Sequence, residues 1–306
     1  MTRIAVSGAA GFLGWNLCRV LAKRHEVTGL VHCASAVDLP LLCVPVELEQ
    51  PNTFDRAFQD FRPDVFVHAA AYCNVEHCEA HPELAFAINA AATRALVDLC
   101  NSRAITFVYI STDLVFDGIQ GHYREDQPAD PISVYGRSKR AAELAVLQST
   151  RRGAVLRCAL MYGPTNGVNR CFLTWIEQRL AAGEPVPLYR DQFRSALFVE
   201  DVAAAVEGLV DRPFQSELFH VGGPERIDRY SFGLLAAEAL RYDKAALQSV
   251  SIADSSIAGR RGADCSMRID KLREFAGWNP ASPVEGLKRV RQWRQSNPRT
   301  TEPRTK

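Results

Sequence analysis

Tyr135 and Lys139 stand four residues apart in the run Tyr135-Gly136-Arg137-Ser138-Lys139. On a helix, positions i and i+4 share a face, so the ammonium can lie beside the phenol. A neighbouring cation lowers a tyrosine from its usual pKa of about 10, which suits it to exchange protons near neutrality. Alone, such a pair fits a solvated helix surface equally well. A second group changes that weighting. Val108-Tyr109-Ile110-Ser111-Thr112-Asp113 reads as a strand ending in hydroxyls, ahead of Tyr135 in the chain. A hydroxyl at the carboxyl end of a parallel strand faces the crevice where such sheets bind ligands. Thr112 can then hydrogen-bond the same carbonyl or alcohol oxygen as Tyr135, its competing role being a cap on the strand end.

A third group lies at the start of the chain. Arg3–Ser7 reads as a strand, followed by Gly8-Ala9-Ala10-Gly11-Phe12-Leu13-Gly14 and a helical run from Trp15. Glycines let a backbone approach a pyrophosphate closely, and a new helix offers free N–H groups and a positive dipole end. The spacing G-x-x-G-x-x-G between strand and helix predicts a dinucleotide site. The second strand should end near His32, where proteins reading NAD place a carboxylate. Leu30-Val31-His32-Cys33-Ala34 has none, which leans the expectation to NADP(H), with NAD(H) also usable and His32 offering a hydrogen bond.

These groups need a sheet to hold them. Candidate strands at Arg3–Ser7, Glu26–Val31, Val65–Ala69, Thr106–Ile110, Ala154–Arg157 and Leu218–Val221 alternate with helical patterns at Gly11–Lys23, Pro51–Phe61, Pro82–Asn101 and Ser133–Ser149. That alternation predicts an α/β fold, a Rossmann-type doubly wound parallel sheet. After Arg157 the pattern changes. A loop cluster at Gly163–Gly167, a helix at Cys171–Ala182 and helices around Tyr230–Leu240 and Ile269–Phe275 predict a smaller C-terminal α/β substrate-binding lobe. We expect residues 1–163 with 191–222 to form the dinucleotide domain, 164–190 with 223–294 the lobe, and 295–306 a frayed polar tail.

Composition excludes other classes. A net charge of +1 gives no surface field for nucleic acid or membrane. No apolar run approaches the length needed to span a bilayer, and no signal segment opens the chain. Nine scattered cysteines, such as that in Leu41-Leu42-Cys43-Val44, read as buried thiols of a reducing compartment, the cytoplasm. The segment from Cys73 to His81 gathers four Cys and His side chains, but their spacing is not that of paired zinc ligands, so no metal is expected. Cys73, just beyond a strand end, is placed to line the cleft.

Together the glycine run, Asp64, His68-Ala69-Ala70-Ala71, Asn89, Ser111-Thr112-Asp113 and Tyr135/Lys139 resemble the extended short-chain dehydrogenase/reductase family. Within it the chain looks most like the dTDP-4-dehydrorhamnose reductases, through Pro63–Tyr72, Pro82–Asn89, Ser111–Gly118 and Asp191–Phe193. The resemblance implies Thr112, Tyr135 and Lys139 as the catalytic set, with hydride passing to a sugar carbonyl carbon while Tyr135 protonates the oxygen. It implies that Lys139 holds the nicotinamide ribose, that Asn89 lies near the cofactor, and that Glu47-Leu48 sits near the adenine. It implies a nucleotide-sugar substrate whose phosphates meet Arg194 and Arg261, each of which could instead be a surface arginine in an ion pair. A homodimer is common in the family.

Two positions depart from the family pattern. Leu114 and Leu160 stand where these reductases carry Tyr and Trp against the substrate, which puts rhamnose itself in doubt. Leu114 also stands where sugar dehydratases of the family carry the glutamate that abstracts a proton, so dehydration is not expected. Two alternatives stay open: a nucleotide-sugar epimerase with the same constellation, and a non-catalytic regulatory subunit like that of methionine adenosyltransferase.

Overall fold

A computed structural model describes residues 1–32, 39–212, 214–254 and 262–298. Its centre is a seven-stranded, all-parallel sheet. Five of its strands are β1 (Arg3–Ser7), β2 (Glu26–Val31), β3 (Cys43–Pro45), β4 (Val65–His68) and β5 (Thr106–Thr112). The others are β6 (Gly153–Cys158) and Glu217–Val221. Their spatial order is Glu217–Val221, β6, β5, β4, β1, β2, β3. Chain direction across the sheet therefore reverses between β1 and β4, the crevice where doubly wound sheets bind ligands. β5 and β6 are buried along their whole length and rich in β-branched or apolar residues, as strands covered on both faces must be.

Helices cover both faces. The amphipathic Pro51–Phe61 helix buries Phe54 and Phe58 against Phe66 of β4, with ring centroids 6.0 and 5.1 Å away. Strand β3 was not foreseen. It is a three-residue edge strand whose only sheet partner among the described residues is β2, and Cys43 within it is half-buried rather than buried. The predicted Pro82–Asn101 helix is interrupted: Pro82–Phe86 and Ala92–Ser102 flank a π-helical turn at Ala87–Ala91.

A second buried cluster, including Leu173, Ile176, Leu188, Phe232 and Leu287, forms the core of the C-terminal part. Short pairings assemble it: Met161–Tyr162 with Leu197–Phe198, Val186–Tyr189 with Leu247–Val250, and Phe193–Arg194 antiparallel to Ile227–Asp228. The tail expected to fray from 295 is still helical to Ser296. Ser282 and Glu285 start that helix with a reciprocal capping box, and near its end Trp293 packs edge-on against Trp15 at 6.1 Å. Residues 299–306 lie outside the described ones.

Candidate active site

A cavity of about 850 Å³ opens at the carboxyl ends of the strands. At one end its wall is mostly backbone. Gly8, Gly11, Phe12, Leu13, Gly14, Ala69, Ala70 and Ala71 line it. The Phe12–Leu21 helix begins with Gly11 as its N-cap and no side chain bonds its first amides, so they remain for a ligand's anion. Gly14 is required by closeness: a Cβ there would sit 2.1 Å from the Gly8 carbonyl oxygen. The turn is tied to the neighbouring strand because the Ser7 hydroxyl meets His68 Nδ1 at 2.7 Å and accepts from the Ala70 amide at 3.2 Å. Burial, with the Lys139 charge, holds His68 down to about 3, so its imidazole stays neutral.

Further along this end, His32 Nδ1 lies 2.8 Å from Glu47 Oε2, with Leu48 and Glu49 beside them in the wall. The strand end that lacks a carboxylate in sequence thus acquires one from the loop after β3. Asn89, expected near the cofactor, reaches the cavity only through neighbours such as Tyr72. It is buried inside the π-turn and is not among the cavity-lining residues. Its side chain accepts from the Tyr72 amide at 2.8 Å and donates to the Tyr72 carbonyl and Ser138 hydroxyl at 3.0 Å each. The residue ties the segment after β4 to the catalytic helix.

That helix, Val134–Ser149, is capped by Ser133, whose hydroxyl accepts from the Gly136 amide at 3.0 Å. Gly136 allows the approach: a Cβ would lie 2.2 Å from the Leu114 carbonyl. Underneath, buried Glu143 accepts from Arg157 at 2.9 and 2.8 Å and from Ser111 at 2.6 Å. This network fixes the helix to β5 and β6, and removing one partner of such a pair costs about 3–5 kcal/mol.

Thr112, Tyr135 and Lys139 all line the cavity. The expected phenol–ammonium effect is not seen. The Lys139 ammonium turns beneath the site, donating to the Ile110 carbonyl at 2.7 Å and lying 4.1 Å from the Tyr109 ring centroid. Burial brings it down to about 7, with Glu143 opposing. Burial pushes the Tyr135 phenol well above its ordinary range, with Cys73, Asp113 and Cys78 adding and Thr112 opposing. The reason is that desolvation outweighs a cation held by a carbonyl on the far side. Tyr135 therefore stays protonated, the state of a proton donor. Thr112 Oγ1 donates to Asp113 Oδ1 at 3.2 Å and accepts from the Leu114 amide at 3.2 Å.

The other end of the cavity is walled by side chains. Cys73, Asp113, Leu114, Leu160 and Arg194 line it, with Arg170, Phe172, Gln192 and Arg229, which were not foreseen. Arg194 does not present a free fork. It is buried, donates to the Phe193 and Gly262 carbonyls at 2.6 and 3.1 Å, and its Nε is 3.5 Å from Asp113 Oδ2. Two of its five N–H donors thus serve backbone carbonyls and a third lies near a carboxylate, leaving one on each terminal nitrogen. Arg261 lies outside the described residues. Burial raises the Asp113 carboxyl, with Arg194 and Arg229 opposing. Of the Cys73–His81 segment, Cys73 is exposed at the cavity mouth while Cys78 is buried and donates to the Tyr72 carbonyl at 3.3 Å. Among the described residues, no three His, Cys, Asp or Glu side chains gather to hold a metal. No described helix is long and apolar enough to cross a membrane.

A strand-reversal crevice, a glycine turn and a Thr–Tyr–Lys set together define an oxidoreductase of the extended short-chain dehydrogenase/reductase type. The comparisons narrow the class. Residues 1–295 match the model of the RmlD substrate binding domain, and the chain belongs to that family. A probable low-salt glycan biosynthesis reductase of Haloferax volcanii is 34% identical over 255 residues, covering 81% of this chain and 84% of its own. Methionine adenosyltransferase 2 subunit beta of Xenopus laevis is 29% identical over 261 residues, covering 81% and 75%. The dTDP-4-dehydrorhamnose reductase of Bacillus anthracis, solved with NADP, shares the fold at a TM-score of 0.84 and 24% identity, covering 94% of this chain and 98% of that one.

Proposed function

We propose that this protein is an NAD(P)H-dependent reductase of a nucleotide-linked 4-keto-6-deoxy-sugar. The carrying observation is the single cavity that joins the glycine turn to a protonated Tyr135. A bound nicotinamide supplies the hydride. Tyr135 gives its proton to the carbonyl oxygen, and Thr112 steadies that oxygen once its hydroxyl turns from Asp113 Oδ1 to donate to it. Lys139, held by the Ile110 carbonyl, supplies positive charge to the site, and the phenolate left behind takes its proton back from solvent. Asn89 acts through Tyr72 and Ser138 as a positioning residue.

Residues 1–163 with 191–222 hold the cofactor in this reading, and 164–190 with 223–294 hold the sugar. NADP(H) is the preferred cofactor in this reading, supported by the NADP bound to the Bacillus anthracis relative. The likeness to the methionine adenosyltransferase subunit favours a second reading as a binding subunit; the complete Thr112, Tyr135 and Lys139 set favours turnover.

The test is oxidation of NADPH and NADH, followed by absorbance, against a panel of nucleotide-linked 4-keto-sugars. Turnover should fall about 10²–10⁴-fold in Tyr135→Phe, the range of a lost general acid. Cofactor binding without turnover of any panel member would remove the reductase reading and promote the binding-subunit one.

A further inference from the structure

Beneath the cavity runs a chain of buried side chains that the chemistry above leaves unused. The Ser7 hydroxyl lies 2.7 Å from His68 Nδ1, and His68 Nε2 lies 3.2 Å from the Thr93 hydroxyl. That hydroxyl is in turn 2.7 Å from the Asn89 carbonyl. Ser7, His68, Asn89, Thr93 and Ser138 are all buried, and of these only Ser7 lines the cavity. Burial keeps bulk solvent from these bonds, so each donor depends on its protein acceptor.

The direction of the bonds follows from the groups at either end. The Ala70 amide can only donate, so Ser7 Oγ accepts from it at 3.2 Å and keeps its own proton for His68. The Asn89 carbonyl can only accept, so the single Thr93 proton goes to it, and Thr93 Oγ1 must accept from His68. Burial, with the Lys139 charge, keeps His68 neutral. Its one ring proton therefore sits on Nε2, and Nδ1 is bare to receive the Ser7 hydroxyl. Beyond Asn89 the same sense continues. Its Nδ2 donates to the Ser138 hydroxyl at 3.0 Å, and Ser138 donates to the Tyr135 carbonyl at 2.8 Å. Donors and acceptors thus run one way from Ala70, in the wall beside the glycine turn, to the backbone of Tyr135.

We infer that His68, in its Nε2–H form, is a positioning residue that couples the glycine-turn end of the cavity to the helix carrying Tyr135 and Lys139. A cofactor seated against the turn and Ala70 holds Ser7, and through His68 and Thr93 it holds the π-turn and the start of the catalytic helix. Loss of the Thr93 hydroxyl would leave Nε2–H without an acceptor. The ring proton then favours Nδ1, where Ser7 Oγ can accept it, and the Ser7 proton turns out of the chain. This coupling rests on the reading of Tyr135 and Lys139 as the reacting set, and adds what keeps them in step with the cofactor.

The intact protein tests it without a keto-sugar. Nitrogen-15 NMR of the histidines, assigned by the signal missing in His68→Gln, should show a neutral Nε2–H ring that does not titrate from about pH 5 to 8. In Thr93→Val the pattern should change to Nδ1–H. Adenosine diphosphate lacks the nicotinamide half, so any effect it has on the catalytic helix is indirect. It should slow amide exchange across Val134–Lys139 about tenfold, a modest coupling between sites. In Thr93→Val that slowing should drop below about threefold and NADP+ affinity should weaken about tenfold, the scale of one hydrogen bond. Thr93→Ser, which keeps the hydroxyl, should restore both.

A wild-type His68 protonated on Nδ1, or charged in that range, would overturn the coupling. So would a Thr93→Val protein that loses melting temperature yet keeps the slowing and the NADP+ affinity, the mark of a merely structural role. Should that variant not fold, the wild type decides: no slowing across Val134–Lys139 under saturating adenosine diphosphate overturns it. With the NMR and exchange results as expected but no panel sugar turned over, the reductase reading falls and the coupling stands.

Discussion

The two ends of the cavity are built in opposite ways. The nucleotide end is made of backbone: Gly8, Gly11, Gly14 and the Ala69–Ala71 run supply amides and empty space, from segments adjacent in the sheet. The opposite end is made of side chains from Asp113, Gln192, Arg194 and Arg229, which the pairing of Phe193–Arg194 with Ile227–Asp228 helps bring together. Backbone recognition tolerates no added atoms, whereas side-chain recognition depends on which partner already holds each group. Arg194 illustrates the second case. It lines the cavity where a phosphate ligand was expected, yet three of its donors are already directed at protein oxygens.

The largest effect that would sharpen this contrast is at Gly14. Gly14→Ala puts a methyl 2.1 Å from a carbonyl oxygen, and overpacking of this kind costs about 1–3 kcal/mol. Cofactor affinity, followed by fluorescence titration, should weaken on the order of 100-fold, equivalent to about 2.7 kcal/mol. An unchanged affinity would mean that the turn does not approach the cofactor.

Arg194→Met should show a different signature, loss of stability by about 3–5 kcal/mol as a buried pair is broken. The change would be read by thermal or urea unfolding, with KM for substrate moving much less. A large KM increase at retained stability would return Arg194 to the role of phosphate ligand.

Acidity gives a third test. Lys139, brought down to about 7, is charged below that pH and neutral above it. If its charge supports proton transfer, turnover should fall several-fold, on the order of tenfold per unit once well past pH 7, from one group's titration. Lys139→Arg, always charged, should flatten that limb if the variant folds. Stability moves the other way. The folded pKa is below the unfolded one, so the unfolded chain binds more protons between about pH 7 and 10, and this residue's contribution to stability rises with pH across that window. The stabilising effect of Lys139→Met should therefore be greatest at or below pH 7 and fade toward pH 10.

The smallest effect concerns cofactor choice. Glu47 brings a carboxylate to His32 at 2.8 Å. Glu47→Gln removes an anion near the adenosine end and should shift the NADPH-to-NADH ratio of kcat/KM a few-fold toward NADPH, the scale of a partly exposed charge. No shift would place the 2′-phosphate away from this pair.

Much of the architecture was legible because it repeats a local signal. β1 and β2 fall on the predicted residues, and the glycine turn and Val134–Ser149 helix lie where their spacing required. β3 was not, since three residues ending in proline carry no alternation and become a strand only by pairing with β2. The π-turn was hidden because Ala87–Ala91 has ordinary helix-forming residues; its bulge lets Asn89 reach Tyr72 and Ser138. Gln192 lay within the Asp191–Phe193 run, yet only the contact with Arg229 shows which way its amide points.

By itself the sequence determined the parallel α/β sheet, the glycine turn after β1, and the strand end and helix that carry Thr112, Tyr135 and Lys139, because periodicity and glycine spacing are properties of short stretches. Tertiary structure alone decided that Lys139 lies over the ring of Tyr109, that Arg194 donates to two backbone carbonyls and that Gln192 turns its oxygen to Arg229. The physical reason is that protonation and hydrogen-bond direction depend on burial and on partners distant in the chain, which no local pattern records.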